Sequence, residues 1–200
     1  MEDDSFLTHS DEYRLLEVYD QQKRKSKVRR VCYKLGDQRF SDVADKLSQI
    51  VESGSIVGNG PLHDGLLHDG LQHDGESDSE DLVDMLVELL KKSGDELNEK
   101  IKQNHVLLGY LQDSFTYSMF EKLTTTFIKS VVPEHQQSVR NREQIAWTFE
   151  VTSRLNALEL HPMNRVMGFG ATYIKDHFTP WVQGKGGWER AFDDDEEEVH

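Results

Sequence analysis

The stretch LVDMLVELLKKSGDELNEKI, residues 82–101, carries Leu82, Val83, Leu86, Leu89, Leu90, Leu97 and Ile101 at steps of three, four and seven. That repeat lines apolar side chains along one face of a helix, so the spacing predicts one amphipathic helix across the stretch. The C-terminal half of the chain has the same character. Phe115, Met119, Leu123, Phe127 and Val131 recur at steps of four before Pro133, which predicts a helix that ends there. Ile145, Phe149 and Leu155, flanked by Ala146, Trp147, Val151 and Leu158, form the broader apolar surface of a central helix. Pro162 suits the first turn of another helix carrying Met163, Val166, Met167, Tyr173 and Ile174, and Pro180 is read as closing it. No alternating strand pattern interrupts the series, so the reading is an all-α bundle.

Upstream, Val43, Ala44, Leu47, Ile50 and Val51 predict a short helix with Ser41 as N-cap and Gly54 as its stop. Between the two lies LHDGLLHDGLQHDG, residues 62–75, with His63, His68 and His73 each followed by Asp and Gly. Imidazole and carboxylate are both metal ligands. Glycine at every fifth position makes gathering three histidines entropically costly, however, so residues 54–78 are read as a flexible loop and no metal site is assigned. Residues 1–39 are read as a charged N-terminal arm, with a short helix possible around Tyr13, Leu16 and Val18. Its basic run KRKSKVRR, residues 23–30, is either a nuclear-import-like signal or a solvated helix face. The helical domain is then 40–192 and the acidic tail 193–200.

Composition narrows the function. The chain has 200 residues, a net charge of -14 and 30% charged residues. Its mean hydropathy is -0.67. So acidic a chain is a poor match for nucleic acid or an anionic membrane, both of which select basic faces. A lone cysteine, Cys32, leaves no internal disulfide and fits a reducing compartment. The N-terminus MEDDSF is acidic where a signal peptide is basic, and no run approaches the ~20 apolar residues of a membrane span. The expectation is a cytoplasmic protein that reaches organelle membranes only through partners, with the nucleus the lesser possibility.

Within the opening stretch, Leu86, Leu90, Leu97 and Ile101 project from one side of the predicted helix. Gly94 on that side permits close backbone approach, and Asp95 beside it offers a carboxylate to an arginine fork. The arrangement resembles the BH3 motif of the Bcl-2 family, in which apolar anchors flank a small residue followed by aspartate and the helix enters a groove on a relative. Ser93 stands where the third anchor is usually apolar. Burying its hydroxyl without a partner costs roughly 1–3 kcal/mol, so groove binding should be weak or selective. The alternative is an ordinary core helix.

A second stretch, TPWVQGKGGWE at 179–189, resembles the family's BH2 motif through Trp181, Gln183, Gly186, Gly187 and Trp188. Here the glycines permit a tight turn into a last short helix and Trp188 plugs the end of the bundle. Stretches 87–95, 115–120 and 161–170 also resemble family sequence, and the likeness covers roughly 82–192, with 41–53 looser. One departure separates roles. Family members that receive a partner's helix carry Asn-Trp-Gly-Arg in a motif where this chain has Asn141, Arg142, Glu143 and Gln144. An acid there faces an incoming aspartate unfavourably. The resemblance therefore implies a Bcl-2-like bundle that offers Asp95 to survival-type relatives. The other possibility is an adaptor of the same fold whose BH3 helix stays locked and which has little direct role in cell death. No phosphate loop, His-Glu-x-x-His or nucleophile elbow occurs, so neither catalysis nor a cofactor is expected. Oligomeric state is left open.

Overall fold

A computed structural model of the protein describes residues 9–25, 38–54, 77–92, 94–132, 137–158 and 163–193. Among them are ten helices and no strand: α1 (Asp11–Lys25), α2 (Gln38–Ser53), α3 (Ser77–Leu90), α4 (Gly94–Gln103), α5 (His105–Asp113), α6 (Tyr117–Val131), α7 (Gln137–Asn156), α8 (Met163–His177), α9 (Thr179–Gly184) and α10 (Trp188–Ala191). This is the all-α bundle that the apolar spacing implies, and it is consistent with the Bcl-2-like fold that the motif resemblance implies. The His-Asp-Gly repeat, Pro133 and Pro162 lie outside the described residues.

The bundle is built around α7. Every residue from 145 to 153 is buried, on all sides of the helix, so α7 runs through the core rather than along its edge. Four helices surround it: α1, α2, α6 and α8. α6 buries Phe120, Leu123, Thr124, Phe127 and Ile128, whereas Met119 and Val131 are half-buried. A step of four overshoots the turn by roughly 40°, so a four-step stripe drifts off the core face and alternation of three and four replaces it. Caps close the ends. Asn104 Oδ1 accepts from the amides of Val106 and Leu107, each at 3.2 Å, at the start of α5. Ser10 Oγ accepts from the Tyr13 amide at 3.2 Å and opens α1.

Three expectations are corrected. The domain does not begin at residue 40: within the stretch read as an arm, α1 packs against α2, α7 and α8, and Leu15, Leu16 and Tyr19 are fully buried. Ser41 is not an N-cap, because α2 starts at Gln38. Its hydroxyl and carbonyl instead accept from Gln22 Nε2 at 3.0 and 3.2 Å, joining α1 to α2. Pro180 does more than close α8, which ends at His177; it sits in the first turn of α9, where a missing N–H costs nothing.

Helices α1, α7 and α8 approach closely at Gly170. A methyl group there would stand 2.6 Å from Thr152 Cγ2 and Oγ1 and 3.2 Å from Leu16 Cδ1. Thr152 has no freedom to retreat, since it is fully buried and its hydroxyl is bonded to the Thr148 carbonyl at 2.8 Å. Gly170→Ala is expected to destabilise the fold by about 1–2 kcal/mol, the overpacking cost outweighing the gain in helix propensity. Urea unfolding of the two proteins checks this, and equal or greater stability of the variant would refute the close approach.

Candidate partner-binding site

Residues 82–101 form two helices rather than one. α3 ends at Leu90 and α4 starts at Gly94, with a turn beginning at Lys91 and Lys92. Glycine is a poor helix former, by about 1 kcal/mol relative to alanine, and helps the chain stop here. The apolar stripe survives the break: Leu86 and Leu90 are 0% exposed, Leu97 and Ile101 1%. All four therefore point into the core, with α3 lying on α6. Gly94 and Asp95 are the first two residues of α4. Ser93 and the side chains of 94–96 lie outside the described part of the chain. On the outer side of α3, Met85 is exposed, and its sulfur accepts from Asn104 Nδ2 at 3.5 Å.

A helix that stops inside a bundle leaves carbonyls without amide partners. The last turn of α3 tightens, with the Lys92 amide donating to Leu89 O at 3.0 Å. The Leu90 carbonyl is taken by a side chain from α7: Arg154 Nη1 donates to it, and also to the Lys92 carbonyl at 3.4 Å. Arg154 is itself held. Its Nε donates to Glu150 Oε1 at 2.8 Å, one turn back on α7. Glu150 is held in turn from α1, by the Tyr19 hydroxyl at 2.5 Å on Oε2 and by Lys23 Nζ at 3.3 Å. A second buried carboxylate lies next to it with the donors exchanged. Asp20 of α1 accepts from Ser153 Oγ at 2.8 Å and Asn156 Nδ2 at 3.0 Å, and pairs with Arg24 at 3.1 Å. Two members of the basic run at 23–30 thus have carboxylate partners inside this domain.

Sequence reading missed Arg154, Glu150, Tyr19 and Asp20. One signal was present: Glu150 and Arg154 stand four apart inside the long apolar run of α7, where an isolated charge is costly and a paired one is tolerated.

Burial alone pushes Glu150 up, but Arg154, Lys23 and the Tyr19 hydroxyl outweigh it and hold the carboxyl below the ordinary glutamate range. Tyr19 goes the other way, raised by burial and by the facing Glu150. A carboxyl whose folded pKa is lowered adds stability that is fully present above its unfolded value, near 4.5, and is lost as pH falls through the folded value. Glu150→Gln is therefore expected to lower the melting temperature at pH 7 and to flatten its decline below about pH 4.5. Melting curves from pH 7 to 3 check this; parallel declines in the two proteins would refute it.

At the other end, Gly186 and Gly187 have φ of +93° and +107°, values open to glycine and strained for other residues. They turn the chain from α9 into α10. Trp188 then packs edge-on to Phe149, within the second half of α7, at 6.1 Å and stacks with Phe192 at 6.3 Å. Trp181 is half-buried against the core, and Gln183 is exposed. Asn141, Arg142, Glu143 and Gln144 are half-buried in the first half of α7. Arg142 is already engaged, donating from Nη2 to the Asp193 carbonyl at 2.9 Å, while Lys46 pairs with the Asp193 carboxylate at 2.7 Å. Arg142 and Glu143 line a cleft of about 450 Å³ with Lys46, Gln49, Ile50, Ser53 and Phe192. That cleft is built from α2, α7 and the C-terminal segment, without α3 or α4.

Among the described residues, no group of three metal-ligating side chains occurs and no helix is long and apolar enough to cross a membrane.

No family model and no solved structure matches the sequence. Curated proteins do. The chain is 40% identical over 125 residues to apoptosis facilitator Bcl-2-like protein 14 (Bcl-G) of Homo sapiens, which is 62% of this chain and 38% of that protein. It is 40% identical over 124 residues to the protein of the same name from Mus musculus, covering 61% and 38%. The Bos taurus protein matches at 32% over 190 residues, 88% of this chain and 58% of its own length. The chain thus spans well under two thirds of the relatives it matches. On these matches and the all-helical bundle, the chain is similar to Bcl-2-like protein 14, a protein of the Bcl-2 family.

Proposed function

We propose that the chain is a non-enzymatic regulator of apoptosis that acts by binding proteins. It offers the segment carrying Leu86, Leu90, Ser93, Gly94, Asp95 and Leu97 as a helix to the groove of survival-type Bcl-2 relatives. The relatives' own name, apoptosis facilitator, supports the process. The observation that carries the mode of action is that Leu86, Leu90, Leu97 and Ile101 keep one apolar face across the α3–α4 break, so a single stripe can pass from the core to a groove. Taking each leucine out of the core costs about 1.5–3 kcal/mol, and burial in a groove returns a similar amount. The exchange is then near neutral, and the Asp95 carboxylate against an arginine supplies the preference. The reading needs no cofactor, metal or nucleic acid. It places the protein in the cytoplasm, meeting organelle membranes through its partners.

Complete burial of the same leucines favours a second reading, a Bcl-2-fold adaptor whose α3–α4 segment stays locked and whose outer surfaces bind unrelated partners with little direct effect on cell death. Calorimetry of the intact protein, and of a peptide spanning 80–103, against a panel of survival-type relatives separates the two. On the first reading both bind. Leu90→Glu then weakens binding by about 100-fold, the loss of a buried anchor, and Asp95→Ala by about 30-fold or more, the loss of one partner of a buried charge pair. Binding by neither would leave the adaptor.

A further inference from the structure

We propose that Arg154 is the latch that holds the α3–α4 segment in the bundle, and that α1 sets this latch through Tyr19 and Lys23. The proposal rests on the reading of 86–97 as the offered segment and adds its regulation. It starts from the break itself. Had α3 and α4 been one helix, the Leu90 carbonyl would accept from an amide within that helix. Instead it accepts from Arg154, a residue 64 positions away on the central helix. The Lys92 carbonyl lies within reach of the same Nη1 at 3.4 Å. One guanidinium therefore ties the segment's backbone to the central helix, at the midpoint of the apolar stripe.

That guanidinium is aimed by a carboxylate it does not control alone. Glu150 gives Oε1 to Arg154 and Oε2 to α1, where the Tyr19 hydroxyl and the Lys23 ammonium meet it. The Tyr19 ring is fixed edge-on to Phe149 at 5.6 Å, and Lys23 also lies over it at 5.5 Å. α1 is fastened nearby by Asp20 on Ser153 and Asn156, and at its N-terminal end by Glu12, which accepts from Thr179 Oγ1 at 2.7 Å. With α1 seated, Glu150 is oriented and Arg154 points at the break. With α1 displaced, Glu150 loses the Tyr19 hydroxyl and the Lys23 ammonium together and keeps the shared arginine, which is then no longer aimed from the α1 side. Access to α1 is thereby coupled to freedom of a segment it does not touch through that contact, across α7.

Hydrogen exchange on the 200-residue chain tests this, because local opening is read amide by amide and needs no partner. Arg154→Met keeps the stem and removes the donors. It is expected to speed exchange over 86–103 by about tenfold or more, the loss of hydrogen bonds to a charged donor, while α6 and α8 keep their protection. Tyr19→Phe removes a single hydroxyl from α1 and is expected to act on 86–103 in the same direction and more weakly; it decides the matter should Arg154→Met fail to fold. Faster exchange confined to 86–103 in these variants supports the latch. Unchanged exchange there, or an equal rise in every helix, overturns it. The proposed function fails separately: a released segment that still binds no survival-type relative would overturn that reading and leave the latch standing.

Discussion

The bundle depends on one constraint, that Glu150 and Arg154 sit on a helix with no exposed side along most of its length. α7 is buried all round from 145 to 153, so a charge there survives only if surrounding helices bring it partners. They do so from opposite directions: α1 supplies Tyr19 and Lys23 to the acid, and the α3–α4 break supplies two carbonyls to the base. A purely apolar pair at these positions would leave the Leu90 carbonyl without this donor and the Tyr19 hydroxyl without an acceptor. The paired charges therefore specify which helices neighbour α7 and in what register, a role that suits ionic groups better than raw stability does.

Much of the architecture was legible because helical spacing is a local property. The central character of α7 showed in the width of its apolar surface, and the turn before α10 in two adjacent glycines. What escaped reading was non-local. α1 resembles a charged arm because its core-facing side mixes Leu15, Leu16 and Tyr19 with Glu12 and Asp20, both buried. Those acids are acceptable inside because Thr179, Ser153 and Asn156 reach them from far along the chain, with Arg24 adding a local partner for Asp20. The break at 91–93 escaped for a related reason. An apolar stripe continuous through Leu97 and Ile101 suggests one helix, and nothing within the stretch reveals that a distant arginine will accept the role of its terminal donor.

The two ends of the candidate segment differ in what surrounds them. α3 lies on α6, a well-packed helix with Phe120, Leu123 and Phe127 fully buried, while α4 meets α3 and the short α5. Each has two helical neighbours, but those of α4 are the shorter, which makes it the less strongly embedded half, and it is the half that begins with Gly94 and Asp95. The charged residue proposed for recognition thus sits on the more loosely held piece, next to the joint where the backbone is held by a side chain.

The placement of α1 also bears on how the chain acquires its fold. Its polar anchors join residues 131, 133 and 136 positions apart, so closure of α1 on α7 spans most of the sequence. Contacts of such separation form late and slowly compared with those between neighbouring helices. During synthesis α1 exists well before α7 has emerged, and through that interval its apolar side with Leu15, Leu16 and Tyr19 stands open to whatever else can cover it. The first described helix able to do so is α2, which follows α1 in the chain and packs against it in the finished domain.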